Sequence, residues 1–149
     1  MTLKNILIAA DHGGFELKED IKNFVFNNHN INWIDLGTHS TESVDYPEYG
    51  FKMAEAIKNG DAEQGIIICG TGIGISIAAN RYSHIRAALC TNTKMAKLTR
   101  EHNNANVLAL GARIISKETA IECVQTFLDT EFEGGRHQRR VEKLEVPHA

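Results

Sequence analysis

The sequence predicts a three-layer α/β fold, with a five-stranded parallel sheet between two helical layers and a C-terminal helical arm. Three observations carry that expectation. Short apolar runs alternate with helix-period segments from one end of the chain to the other, as βαβ units require. Two strand-to-helix junctions, Asp11-His12-Gly13-Gly14 and Cys69-Gly70-Thr71-Gly72-Ile73-Gly74, are glycine-rich. The 149 residues are 42% hydrophobic and 23% charged, enough for one core without disulfides or a structural metal. Residues 1–149 are therefore expected to form a single domain.

Lys4 to Ala10 (KNILIAA) supplies the first strand. An amphipathic helix follows over Gly13 to Asn28, with Phe15, Leu17, Ile21, Phe24 and Val25 on its apolar stripe. Ile31 to Leu36 is the second strand. A polar loop then leads to Asp45-Tyr46-Pro47, where Pro47 suits the first turn of a helix running to Asn59. Gly65 to Cys69 (GIIIC) is a continuous apolar run, as a strand covered on both faces needs. A helix from Ile73 to Asn80, a strand at Arg86 to Cys90, a helix at Thr93 to His102 and a fifth strand at Asn106 to Leu110 come next. Lys117 to Asp129 is a further helix, and a short amphipathic helix is expected after Gly134-Gly135. The elements suggest a Rossmann-like sheet of order 2-1-3-4-5.

Composition narrows the function. A net charge of −3 gives no overall basic field, so neither nucleic acid nor an anionic membrane is an expected partner. No apolar stretch approaches the roughly 18 residues that cross a bilayer. Met1 to Asn5 run straight into the first strand, with no secretory or transit pattern. Cys69, Cys90 and Cys123 are odd in number and widely separated, which fits a reducing cytoplasm. No Cys-x-x-Cys or His-x-x-x-His pair occurs among the three cysteines and seven histidines, so no metal site is expected and activity should survive a chelator.

Ligands of open α/β sheets bind beyond the carboxyl ends of the strands, where strand order reverses. That places the crevice between strands 1 and 3, beside both glycine-rich turns, whose free N–H groups can receive an anion. Gly70-x-Gly72-x-Gly74 is no dinucleotide fingerprint, because Ile75 stands where the third glycine belongs. Cys69 is the sharper feature: a strand cysteine is commonly inert packing, yet a thiol beside a helix N-terminus is acidified and can act as a thiolate base. Asp11 either caps the helix that follows or binds sugar hydroxyls, and His12 is either a surface turn residue or faces the anion. Arg113, Arg136 and Arg140 either clamp a phosphate or belong to a solvated basic surface.

His102 and Asn103 end a helix at the amino edge of the sheet, whereas Cys69 lies at the carboxyl edge, and a strand spans roughly 17 Å. Either His102 is a surface cap, or a second subunit brings it to Cys69 as a proton donor.

Taken together, Ala10-Asp11-His12-x-Gly14, Asp45-Tyr46-Pro47, Cys69 to Asn80, His102-Asn103 through Leu108 and Gly134-Gly135-Arg136-His137-Gln138-x-Arg140 resemble the B-type members of the ribose/galactose isomerase family. The resemblance spans nearly the whole chain. It implies a cofactor-free interconversion of ribose 5-phosphate and ribulose 5-phosphate, a pentose phosphate pathway step. It assigns Cys69 as the base between C1 and C2, and His102 as the group that opens the furanose ring. Thr71 and the backbone of Gly70, Gly72, Ile73 and Gly74 would hold the enediolate charge. Asp11, Tyr46 and Asn103 would contact the sugar; His12, Arg113, Arg136 and Arg140, with His137 nearby, would meet the phosphate. Some relatives carry a glutamate at the position of Ile75 instead of the cysteine; this chain has the thiol. A homodimer or a dimer of dimers, sharing its sites between subunits, is implied. A six-carbon sugar phosphate such as allose or galactose 6-phosphate is the alternative substrate, and a non-catalytic phosphosugar-binding module is the alternative class.

Overall fold

A computed structural model describes residues 2–145. The elements alternate as expected: β1 (Leu3–Ala10), α1 (Phe15–Asn23), β2 (Asn30–Asp35), α2 (Tyr46–Lys58), β3 (Gly65–Cys69), α3 (Ile73–Ala79), β4 (Ala87–Leu89), α4 (Thr93–Glu101), β5 (Val107–Gly111), α5 (Lys117–Asp129) and α6 (Arg136–Leu144). All strand pairs are parallel. Side chains alternate across the sheet: Ile6, Ile8, Ile66, Ile68, Leu108 and Leu110 pack under α1, α4 and α5. Leu7, Ala9, Ile67, Cys69 and Ala109 face α2 and α3.

The sheet order is β2-β1-β3-β5-β4, which corrects the expected 2-1-3-4-5. β5 is buried along its whole length, while the three residues of β4 are only half-buried. Five apolar residues that leave water on both faces belong inside a parallel sheet, and a short strand suits its edge. The exchange puts Gly111 opposite Cys69, so the loop after β5 adjoins the turn after β3.

One helix boundary also differs from expectation, at the end of α1, whereas α6 starts where the glycine pair predicts. α1 stops at Asn23 because Phe24 turns extended, at φ −82° and ψ 141°. Phe26 can then enter the core and meet Trp33 edge-on at 6.2 Å, while Val25 is left in water. α6 begins after Gly134 and Gly135, whose φ values of 69° and 53° need glycine. It buries His137 and Val141 on one face and leaves Arg136 and Arg140 exposed. The Glu133 N–H donates to Glu101 O at 3.1 Å, which ties the start of α6 to the end of α4.

A buried ion cluster locks α1 to the end of β2. Lys18 is fully buried and donates to Asp35 and, at 3.1 Å, to Glu19; Lys22 donates to the same Asp35 oxygen at 2.7 Å. The other Asp35 oxygen accepts the Gly37 N–H at 2.8 Å, and Gly37 O accepts the Ala10 N–H at 2.7 Å. Burial by itself raises the Asp35 carboxyl, but hydrogen bonds from Lys18 and Lys22 outweigh it and hold the group below the usual carboxylate range. A depressed carboxyl stabilises the fold above its unfolded value near about 3.9 and loses that contribution as pH falls through the folded value. Asp35→Asn should therefore lower unfolding free energy at pH 7 by about 3 kcal/mol, the lower end for breaking a buried pair. In urea melts the gap between variant and parent should narrow below about pH 4.

Candidate active site

Three strand ends converge at the carboxyl edge of the sheet. After β1, the Asp11 N–H donates to Ile68 O at 3.2 Å, and buried Asp11 accepts the Gly14 N–H on Oδ1 at 3.1 Å. Asp11 is therefore not the cap of α1, whose N-cap is Gly14 without a side-chain cap; one of its oxygens braces the turn ahead of the helix. Gly14 is needed there, because a Cβ would sit 2.6 Å from Ile68 O. His12 Nδ1 accepts the Val44 N–H at 3.1 Å. The ring proton must then sit on Nε2, which makes His12 a donor. The anchor is the loop between β2 and α2, the same loop that the Asp35 cluster holds.

After β3, Cys69 is 4% exposed, and its Sγ accepts the Gly72 N–H at 3.1 Å. Gly72 adopts φ 76°, and a Cβ there would collide with Leu89 and the backbone of Leu110. Thr71 Oγ1 accepts the Ile73 N–H at 3.1 Å, leaving its own O–H free to donate. Tyr46, the first residue of α2, lies against Gly74, where a Cβ would come within 2.4 Å of the ring. The other thiols are unsuited to base chemistry. Burial, with the nearby Cys123, pushes Cys90 up to about 12, and burial, with Glu122, pushes Cys123 up to about 11.

After β5, the Arg113 N–H donates to Gly70 O at 2.9 Å and the Ala112 N–H to Cys69 O at 2.9 Å. The guanidinium lies between the two glycine turns, near enough that a Cβ on Gly70 would meet Nη1 at 2.9 Å and one on Gly13 would meet Nη2 at 3.4 Å. His12, Gly13 and Arg113 line an open cleft of about 410 Å³ with Glu16, Asp20 and Lys117. Asp11, His12, Tyr46, Cys69, Gly70, Thr71, Gly72, Ile73, Gly74 and Arg113 are thereby gathered at one edge.

His102, Asn103, Arg136 and Arg140 are not gathered with them. His102 caps α4, before β5 begins, at the opposite edge of the sheet. With Asn103, His137 and Arg140 it lines a second cleft of about 270 Å³. The His102 and His137 rings stack at 4.3 Å between centroids and 15° between planes. Glu133 Oε1 lies 3.9 Å from His102 Nε2 and 3.5 Å from His137 Nε2. Burial first, then the charges of His102 and Arg136, hold the His137 imidazole below its ordinary value. Sequence reasoning missed Glu133, although Glu133 and His137 are four apart, because two glycines separate them and mask the helical spacing. It also missed Val44, whose tie to the site is its backbone N–H.

Residues 6–144 match the family described as Ribose/Galactose Isomerase. The chain is 45% identical over 142 residues to ribose-5-phosphate isomerase B of Escherichia coli strain K12, covering 95% of each chain. It superposes on the structure of a Clostridium thermocellum ribose-5-phosphate isomerase B with TM-score 0.91, 53% identity and 95% of each chain covered. It also superposes on the Mycoplasma genitalium ribose-5-phosphate isomerase B with bound ribulose 5-phosphate, with TM-score 0.84 and 42% identity over 97% of this chain and 95% of that one.

The cysteines give a direct check on the site. Iodoacetamide at pH 7 should alkylate Cys69, 4% exposed, faster than Cys90 and Cys123, at 1% and 0%; peptide mapping by mass spectrometry reads the outcome.

Proposed function

The chain belongs to the ribose/galactose isomerase family, and from that premise we propose that it interconverts D-ribose 5-phosphate and D-ribulose 5-phosphate through a cis-enediolate. The observation that carries this reading is Cys69 Sγ, held by the Gly72 N–H, with the Arg113 guanidinium resting against the next residue, Gly70. A base and an anion receptor on one crevice suit a sugar whose reacting carbons lie a few bonds from its phosphate.

In the proposed reaction the Cys69 thiolate takes the proton from C2 of the open-chain aldose. Electrons from that C–H bond form the C1–C2 double bond, and the former carbonyl oxygen becomes the enediolate oxygen. A proton then passes from the C2 hydroxyl to the C1 oxygen, and the same sulfur returns its own proton to C1 as the C2 carbonyl forms. Donors around the turn, including the free Thr71 O–H, meet the developing charge. Asp11 and Tyr46 contact the sugar oxygens. The His12 Nε2–H and Arg113 take part of the phosphate charge.

The furanose must open first, and His102 is the proposed donor to its ring oxygen. Within one chain, β3 alone separates the two groups by roughly 13 Å at about 3.3 Å per residue, beyond side-chain reach. The reading therefore takes His102, Asn103, Arg136 and Arg140 from a second copy. The rim of the crevice supports that assembly: Ile73, Ile77 and Ile114 are 52%, 57% and 57% exposed, and Ile114 adjoins the residue opposite Cys69. Isoleucines left in water beside a site are what a subunit interface covers. No helix among the described residues is long and apolar enough to cross a membrane.

Coupled assays should give a higher kcat/KM for ribose 5-phosphate than for allose 6-phosphate or galactose 6-phosphate; a strong six-carbon preference would replace the substrate. Cys69→Ala should lower kcat by at least about a hundredfold, as loss of a general base does, while calorimetry still detects ribose 5-phosphate binding. Undiminished turnover by that variant would remove the thiol from the mechanism.

A further inference from the structure

We propose that His102, Glu133 and His137 form a binding site for a zinc-class divalent ion, and that filling it takes His102 out of proton transfer. One ligating atom from each residue lies within 4.8 Å of the others. The three come from separate features, the cap of α4, the loop before α6 and the buried face of α6, so no single helical spacing announces them. At metal-to-ligand distances of about 2.1 Å, a tetrahedral ion separates its ligands by about 3.4 Å. Glu133 Oε1 is already 3.5 Å from one imidazole nitrogen and 3.9 Å from the other. The two imidazole nitrogens, within 4.8 Å of each other, close the rest of the set when the His102 ring turns.

Chemistry selects the ion. Two imidazoles and one carboxylate suit zinc and its neighbours in the first transition row, whereas magnesium and calcium prefer all-oxygen sets. Two histidines and one glutamate also leave a fourth position for water or a phosphate oxygen. The buried His137 side chain is 11% exposed and supplies the fixed ligand; the His102 side chain is 39% exposed and has room to turn. It must turn, because nearly parallel rings do not aim their lone pairs at one point. Each imidazole binds through the Nε2 lone pair with its remaining proton on Nδ1, so only an imidazolium releases a proton to solvent and no electron is transferred. Arg136 and Arg140 oppose a cation, but both are exposed and are screened over about 8 Å at physiological salt, while Glu133 supplies a negative charge in direct contact.

The effect on turnover rests on the isomerase reading; the ion site does not. Chelator-treated full-length protein is titrated with zinc chloride in phosphate-free buffer by calorimetry. One ion per chain should bind, and Glu133→Gln and His137→Asn should each weaken affinity at least about tenfold, since even outer-shell partners of a metal are worth that much. Cobalt(II) should give tetrahedral absorption bands without a thiolate-to-metal charge-transfer band, which separates this cluster from Cys69. Saturating zinc should lower the isomerase rate on the order of a hundredfold, the weight of a general acid, and a chelator should restore it. The proposal is overturned by no saturable binding, by unchanged affinity in both variants, by a thiolate band, or by full turnover of an active enzyme with zinc bound. A chain that binds zinc as described but isomerises no sugar with or without it would keep the ion site and discard the isomerase reading.

Discussion

The placement of β5 directly beside β3 governs what this chain can do. It sets Gly111 opposite Cys69 and lets the Arg113 N–H bond to Gly70 O. The guanidinium consequently rests between the Gly13 and Gly70 turns, at the edge where β1, β3 and β5 all end. Were β4 in that position, Arg113 would stand one strand further from the sulfur, about 4.8 Å away in the sheet, and the guanidinium would part from the thiol. The same parallel arrangement carries the end of α4 to the opposite edge. With Cys69 and His102 at opposite edges of one sheet, the proposed base and acid meet only if two copies each lend half a site.

The loop beside the crevice is held by groups that do not line the cleft. Lys18 and Lys22 hold Asp35, Asp35 holds the Gly37 N–H, and Gly37 and Thr38 bond to both polar groups of Ala10, next to Asp11. The loop so fixed returns through Val44 to lock the His12 ring. Burying a lysine is unfavourable unless it is fully paired, and here the pairing joins a helix, a strand end and the site loop. Close approach does the rest: Gly14, Gly72 and Gly74 stand where a Cβ would strike Ile68, Leu110 or Tyr46.

Much of this was legible in the residues. β3 and α5 have the bounds that their patterns predict, because a continuous apolar run and a capped amphipathic helix are local signals. Cys69, Gly72 and Asp11 could be placed at strand ends without coordinates. The order of β4 and β5 could not, because the crossover that sets it is a packing decision; the hint lay in the unbroken VLALG run beside a much shorter AAL. The early end of α1 was hidden by Phe24 and Val25, which extend the apolar pattern while the backbone leaves the helix. Lys18 reads as a surface residue until Asp35 is seen above it. The His102, Glu133 and His137 cluster is tertiary, and a search for paired histidines passes over it.

The dependence of each site on two chains is the claim most exposed to experiment. Purified Cys69→Ala and His102→Ala proteins, each inactive by itself, are mixed in equal amounts under conditions where subunit exchange is shown by mass. Half of randomly exchanged dimers pair the two variants, and each such pair rebuilds one intact site of two, so about a quarter of parental activity should return. Exchange without any recovery of activity would contradict a site shared between subunits.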